Sequence, residues 1–90
     1  MNTAFLLMAQ YNAQAVIPVA SVVKDYFPHL TPENFLRKVA MGDIIIPLVR
    51  IEPGSQKGAR GVHLTDLAQY LDDRRAAAVK ESRQMAGANA

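Results

Sequence analysis

Between Val19 and Phe27 the apolar residues Val19, Val22, Val23, Tyr26 and Phe27 recur at i, i+3, i+4, i+7 and i+8, with Ser21, Lys24 and Asp25 between them. That spacing lays one apolar stripe along a helix, and Pro28 stops it. The next stretch, Thr31 to Gly42, is bounded at both ends. Thr31 is a capping residue, Pro32 suits the first helical position, Glu33 puts negative charge at the positive end of the dipole, and Gly42 can close the helix. Leu30 and Phe35 occupy the two positions of a hydrophobic staple. Inside these limits Phe35, Leu36, Val39 and Ala40 make the expected buried stripe, and Asn34, Arg37, Lys38 and Met41 the outer side. Only Pro28, His29 and Leu30 separate the two helices, a connection short enough to cross them steeply, as in a helix-turn-helix.

Before this pair, Asn2 or Thr3 can cap a short helix from Ala4 to Tyr11 whose apolar residues cover more than one side, so it asks for burial on two faces. Ala15-Val16-Ile17 reads as a short extended piece ending at Pro18. After Gly42 the period shortens to two: Ile44-Ile45-Ile46, Pro47, then Leu48 to Glu52, with Val49 and Ile51 alternating against Arg50 and Glu52. Pro53 to Gly61 is a glycine-rich polar connection, and Val62-His63-Leu64 is the return strand of a two-stranded ribbon. Thr65 then caps a long helix from Asp66, with Leu64, Leu67, Ala68 and Leu71 inward. Past Asp72 the helix has little left to bury within one copy, as a solvated extension or one side of a dimer would.

Ninety residues, half of them apolar, suffice for one domain with a modest core, which a partner subunit would help. The expected layout is a single winged helix-turn-helix domain over residues 1–86 and a frayed tail at 87–90. With no cysteine, disulfides and thiolate metal sites are excluded. No positive charge precedes Lys24, and the run Ala4 to Ala9 falls far below the roughly 18 to 20 residues of a membrane span, so a soluble cytoplasmic protein without membrane contact is expected.

The net charge of +2 is small, so affinity for a polyanion depends on where the charges sit. From Arg50 to His63, Arg50, Lys57 and Arg60 stand against Glu52 alone, a local excess equal to that of the whole chain. A basic, glycine-hinged tip beside a helix-turn-helix is placed as a wing, with Arg50, Gln56, Lys57 and Arg60 on phosphates. Thr31, Asn34, Arg37 and Lys38 on the second helix supply the groups that read base edges and grip backbone: Arg for guanine, Asn for adenine, Lys for phosphate. Alone, that helix is as well explained by a solvated face with a Glu33–Arg37 pair; the neighbouring wing shifts the balance. Catalysis finds no support. His29 and His63 stand alone, Ser21 and Ser55 have no neighbouring base, and Asp72 and Asp73, adjacent on a helix, point about 100° apart. No cofactor or metal site is expected.

The order strand, helix, turn, helix, wing, helix is similar to the small α+β winged domains of excisionases and MerR-type regulators. The residues themselves carry a closer likeness. Met1 to Tyr11, Val16-Ile17-Pro18-Val19, Asp25-Tyr26-Phe27, His29-Leu30-Thr31-Pro32-Glu33, Phe35-Leu36-Arg37-Lys38, Gly61-Val62-His63-Leu64 and Asp66-Leu67-Ala68-Gln69-Tyr70 together resemble the pyocin activator proteins. The resemblance implies a bacterial cytoplasmic transcription activator, made in response to DNA damage, that binds short boxes upstream of bacteriocin genes and turns them on; RNA polymerase is a candidate further partner. It carries no residue-level motif. Two other readings use the same residues: an architectural factor that bends DNA, and a small protein-interaction adaptor with a degenerate helix-turn-helix.

Overall fold

The structure is a computed structural model that describes residues 2–54 and 59–88. Its elements are α1 (Thr3–Gln10), β1 (Val16–Pro18), α2 (Val19–Tyr26), α3 (Pro32–Ala40), β2 (Val49–Arg50), β3 (Arg60–His63) and α4 (Leu64–Ala88). Helices around a small antiparallel sheet make the fold α+β, as expected.

The helix boundaries follow the caps. The Asn2 side chain accepts the Ala4 N–H at 2.9 Å. At α3, Thr31 Oγ1 accepts the Asn34 N–H at 3.1 Å, Pro32 occupies the first turn, and Gly42 ends the helix at φ +81°. Between α2 and α3 the Leu30 N–H donates to the Phe27 carbonyl at 2.9 Å, which closes the turn without a long loop. Phe27 then meets Phe35 with ring centroids 5.0 Å apart, and Tyr70 of α4 at 5.8 Å. This aromatic contact joins α2, α3 and α4, in the tilted geometry that such rings prefer. Phe35, Ile17, Val22, Val62 and Leu67 have no exposed surface and form the centre of the core.

The sheet differs from the expected two-stranded ribbon. Its order is β1-β3-β2, so the return strand is central and Val16–Pro18 is an edge partner on its far side. Val16 pairs with His63, Ile17 with Val62 and Pro18 with Gly61, while Val49 pairs with Gly61 and Arg50 with Arg60. Pro18 sits on an edge strand, where its missing N–H breaks no ladder. The expected strand at Ile44-Ile45-Ile46 is irregular chain. Both edges of β3 are already taken, so the alternation serves packing instead: Ile44 and Ile46 plug the core, and Ile45 is 82% exposed. The β2 strand is also shorter than expected. Beyond Arg50, among the described residues, the pairing is extended by the bond from the Ile51 N–H to the Ala59 carbonyl, at 3.1 Å, and the Ile51 side chain is exposed.

Two turns depart from what local sequence suggests. Asn12 and Ala13 have φ of 55° and 59°, left-handed values that cost a residue with a Cβ about 1–2 kcal/mol. The α4 helix begins at Leu64 rather than after Thr65, and the acceptor at its start is His63, whose Nδ1 takes the Thr65 N–H at 3.1 Å.

At the crossing of the three strands only glycine fits. A Cβ on Gly61 would stand 2.5 Å from Val16 Cγ1 and 2.8 Å from the Ile17 carbonyl oxygen. Gly61→Ala is therefore expected to destabilise the fold by about 1–3 kcal/mol, read as a lower urea midpoint at unchanged slope. Wild-type stability in that variant would contradict the three-stranded register.

Candidate nucleic-acid interface

The face of α3 turned to solvent is narrower and less charged than the sequence suggests. Phe35 is buried, Leu36 and Val39 flank it, and Asn34 and Lys38 are half-buried on its other side. The exposed residues are Pro32, Glu33, Arg37 and Ala40, with Met41 exposed at the C-cap. Ala40 is thus on the outside, not in the buried stripe, and Asn34 and Lys38 lie at the margin. At about 100° per residue, centring the helix on Phe35 rather than between Phe35 and Ala40 accounts for the rotation. Phe35 fixes it because its ring is the largest group α3 can bury.

The outcome concentrates the outer face on Arg37. Its Nη2 donates to Asn34 Oδ1 at 3.0 Å, one turn back. The Asn34 amide is itself set by the cap, since its backbone N–H is held by Thr31. Thr31, Asn34 and Arg37 therefore form a short chain of contacts at the start of α3, where the helix dipole favours an anion. Thr31 is exposed, and its hydroxyl proton remains available as a donor.

Lys38 is directed elsewhere. It lines a groove of about 430 Å³ with Tyr26, His29, Asp43, Tyr70 and Arg74, between the α2–α3 turn and α4. The sequence places it beside Arg37, but the two side chains leave the helix in different directions.

In the hairpin, Arg50 and Arg60 are direct partners across β2 and β3. Alternation along β3 puts the half-buried Arg60 on the same sheet face as Val62, just past the end of the core, and its partner Arg50 is exposed. Like charges directly opposite each other destabilise a strand pair. Gln56 and Lys57 lie outside the described residues.

Other polar groups have structural partners. Thr3 Oγ1 donates to Asp72, and Gln69 Nε2 donates to Asp73 Oδ1 at 2.8 Å. The Tyr11 hydroxyl donates to Asp25 Oδ2 at 2.6 Å, and the Tyr26 hydroxyl to Gln10 Oε1 at 2.6 Å. These two bonds tie the end of α1 to the end of α2. Tyr26 thus adds a polar contact to the packing role its position suggests. Sequence reasoning anticipated none of these contacts, nor two others, those of Asn34 and of His63. An amide and a guanidinium three residues apart on a helix do signal the first, whereas nothing local signals the second.

The family model described as pyocin activator protein PrtN matches residues 3–78. The chain belongs to the pyocin activator family. No curated protein and no solved structure gives a significant match. The pyocin activator match takes in every element except the distal part of α4, and so includes Thr31, Asn34, Arg37, Lys38, Arg50 and Arg60. The family is a regulatory one, whose role is to activate pyocin genes, and not an enzyme family. Among the described residues, no helix is long and apolar enough to cross a membrane.

Burial raises the hydroxyl pKa of Tyr11 well above the ordinary tyrosine value, with the Asp25 carboxylate adding to the effect. Tyr26 is raised too, by burial first, against the opposing hydrogen bond to Gln10. A folded-state value above the unfolded one contributes stability that is complete below pH ~10 and is lost as the pH rises past it. Denaturation followed from pH 8 to 11.5 is expected to show stability falling above about pH 10. Tyr11→Phe should flatten that decline, and an unchanged slope would disprove the role of this hydroxyl.

Proposed function

We propose that this pyocin activator family member is a cytoplasmic, sequence-specific DNA-binding transcription activator. It acts as a winged helix-turn-helix dimer on short boxes upstream of bacteriocin genes, in the DNA-damage response, and contacts RNA polymerase there. In this reading residues 1–86 form a single DNA-binding domain. The α2–α3 pair is the helix-turn-helix and the β2–β3 hairpin its wing. Arg37 reads guanine in the major groove, and Asn34 holds the guanidinium in position rather than reading adenine itself. Thr31 donates to a phosphate at the α3 N-terminus. Arg50 and Arg60 straddle a phosphate or enter the adjoining minor groove, with Gln56 and Lys57 in the same role. Lys38 adds a backbone contact from the edge of α3.

The observation that carries this reading is the direct opposition of Arg50 and Arg60 across two strands. Two cations set face to face weaken the hairpin in water. An anion shared between them removes the penalty, and a phosphate backbone supplies one. The short α2–α3 turn and the outward Arg37 support the same reading.

Binding measured against specific and unrelated duplexes at several salt concentrations tests it. Arg37→Ala is expected to cost about 1–3 kcal/mol on the specific site and to relax sequence preference. Arg60→Ala should weaken all duplexes alike and lower the salt slope by about one, and Lys38→Ala should have the smaller effect of the two α3 changes. If Arg37→Ala and Arg60→Ala both bind DNA as the wild type does at low salt, the reading is wrong.

A further inference from the structure

The α4 helix continues well past the body of the protein. Thr3, at the start of α1, touches Asp72, so α1 ends its cover there, and residues 73–88 run on for about 24 Å at 1.5 Å per residue. At about 100° per residue, Leu64, Leu67, Ala68 and Leu71 share one side of α4, the side that packs into the core. Ala78, Val79, Ser82, Met85 and Ala86 fall on that same side, with Arg75 the one interruption. The core stripe therefore extends through the overhang largely uncovered by the described residues: Met85 is 67% exposed, Ala78, Ser82 and Ala86 are exposed, and Val79 is half-buried. An apolar stripe on a polar helix is built to pack.

We propose that the overhanging halves of two α4 helices pair antiparallel, about a two-fold axis near Ala78. This deepens, and rests on, the reading of the chain as a dimer. The charges beside the stripe identify a second copy as the occupant. Arg74 and Glu81 lie on the same flank of the stripe. A two-fold axis that makes helices antiparallel brings each flank against its own equivalent, so Arg74 of each copy faces Glu81 of the other, twice over. The midpoint of those pairs is also where Leu71 of one copy comes opposite Met85 of the other. The opposite flank carries Asp72 and Arg83, which the same axis brings together in the same way. Small residues at the centre, Ala78 and Ser82, let the two helices approach closely. The distal end of each helix then reaches the first turn of the other copy's α1, where Phe5 is 66% exposed.

The chain has no cysteine, so single cysteines report this geometry directly. Arg74→Cys and Glu81→Cys chains, made at different lengths with a cleavable tag, are mixed and treated with a short bis-maleimide. The expected product is chiefly the mixed 74-to-81 dimer; products linked chiefly 74-to-74 and 81-to-81 overturn the antiparallel seam. Glu81→Arg is expected to weaken the dimer about tenfold in sedimentation equilibrium, because symmetry turns two attractions into two repulsions. The swap Arg74→Glu with Glu81→Arg should restore it. A dimer insensitive to both changes places the interface elsewhere and overturns the proposal while leaving a dimeric activator intact. A chain that is monomeric at every concentration overturns the proposal and the dimer together. The DNA-contact assignment is judged separately, from Arg37→Ala.

Discussion

The contact of Phe27 on Phe35, with Tyr70 on the third side, is what the remaining structure depends on. It fixes how α2 and α3 cross, because the turn between them is too short to adjust, and it anchors both to α4. It also sets the rotation of α3 about its own axis. Once Phe35 is fully buried, Arg37 has to face solvent, Asn34 sits close enough to hold it, and Lys38 is carried round toward α4. The composition of the outer face thus follows from a packing constraint on the inner one.

The parts legible in the sequence were those written in local chemistry. Thr31-Pro32-Glu33 and Gly42 marked α3 to the residue, the apolar spacing from Val19 marked α2, and the resemblance to the pyocin activators is borne out by the family match. The parts that were not legible depend on distant partners. Nothing near Val16-Ile17-Pro18 indicates that it pairs with Gly61-Val62-His63, more than forty residues later. The β character of Ile44-Ile45-Ile46 was read as a strand, but a run of isoleucines cannot distinguish a strand from irregular chain that inserts every second residue into a core. Lys38 was misplaced for a related reason. A helix of nine residues tolerates a rotation of one position in its apolar stripe, and only the ring of Phe27 decides between the choices.

The proposed interface divides its work between two kinds of support. Arg37 stands on a helix and is steadied by a side-chain contact to a residue that also serves the cap, so its guanidinium has little freedom left to lose on binding. Arg50 and Arg60 stand on short strands and are held directly opposite each other by backbone pairing, an arrangement that sets like charge against like. The first arrangement favours discrimination between bases, the second favours attraction to any phosphate chain.

No linker separates β3 from α4: His63 ends the strand and Leu64 begins the helix, with the His63 ring bridging the junction. The strand β1 likewise passes without a break into α2. The central strand is therefore a stiff coupling, and the hairpin that carries Arg60 is continuous with the rod that leaves the body of the molecule. A torque applied at the far end of that rod is delivered to the hairpin rather than absorbed on the way, so two copies joined by their rods as proposed would hold their hairpins at one separation and one phase. In the proposed complex, any mismatch in the spacing of what they grip would have to be taken up by the duplex.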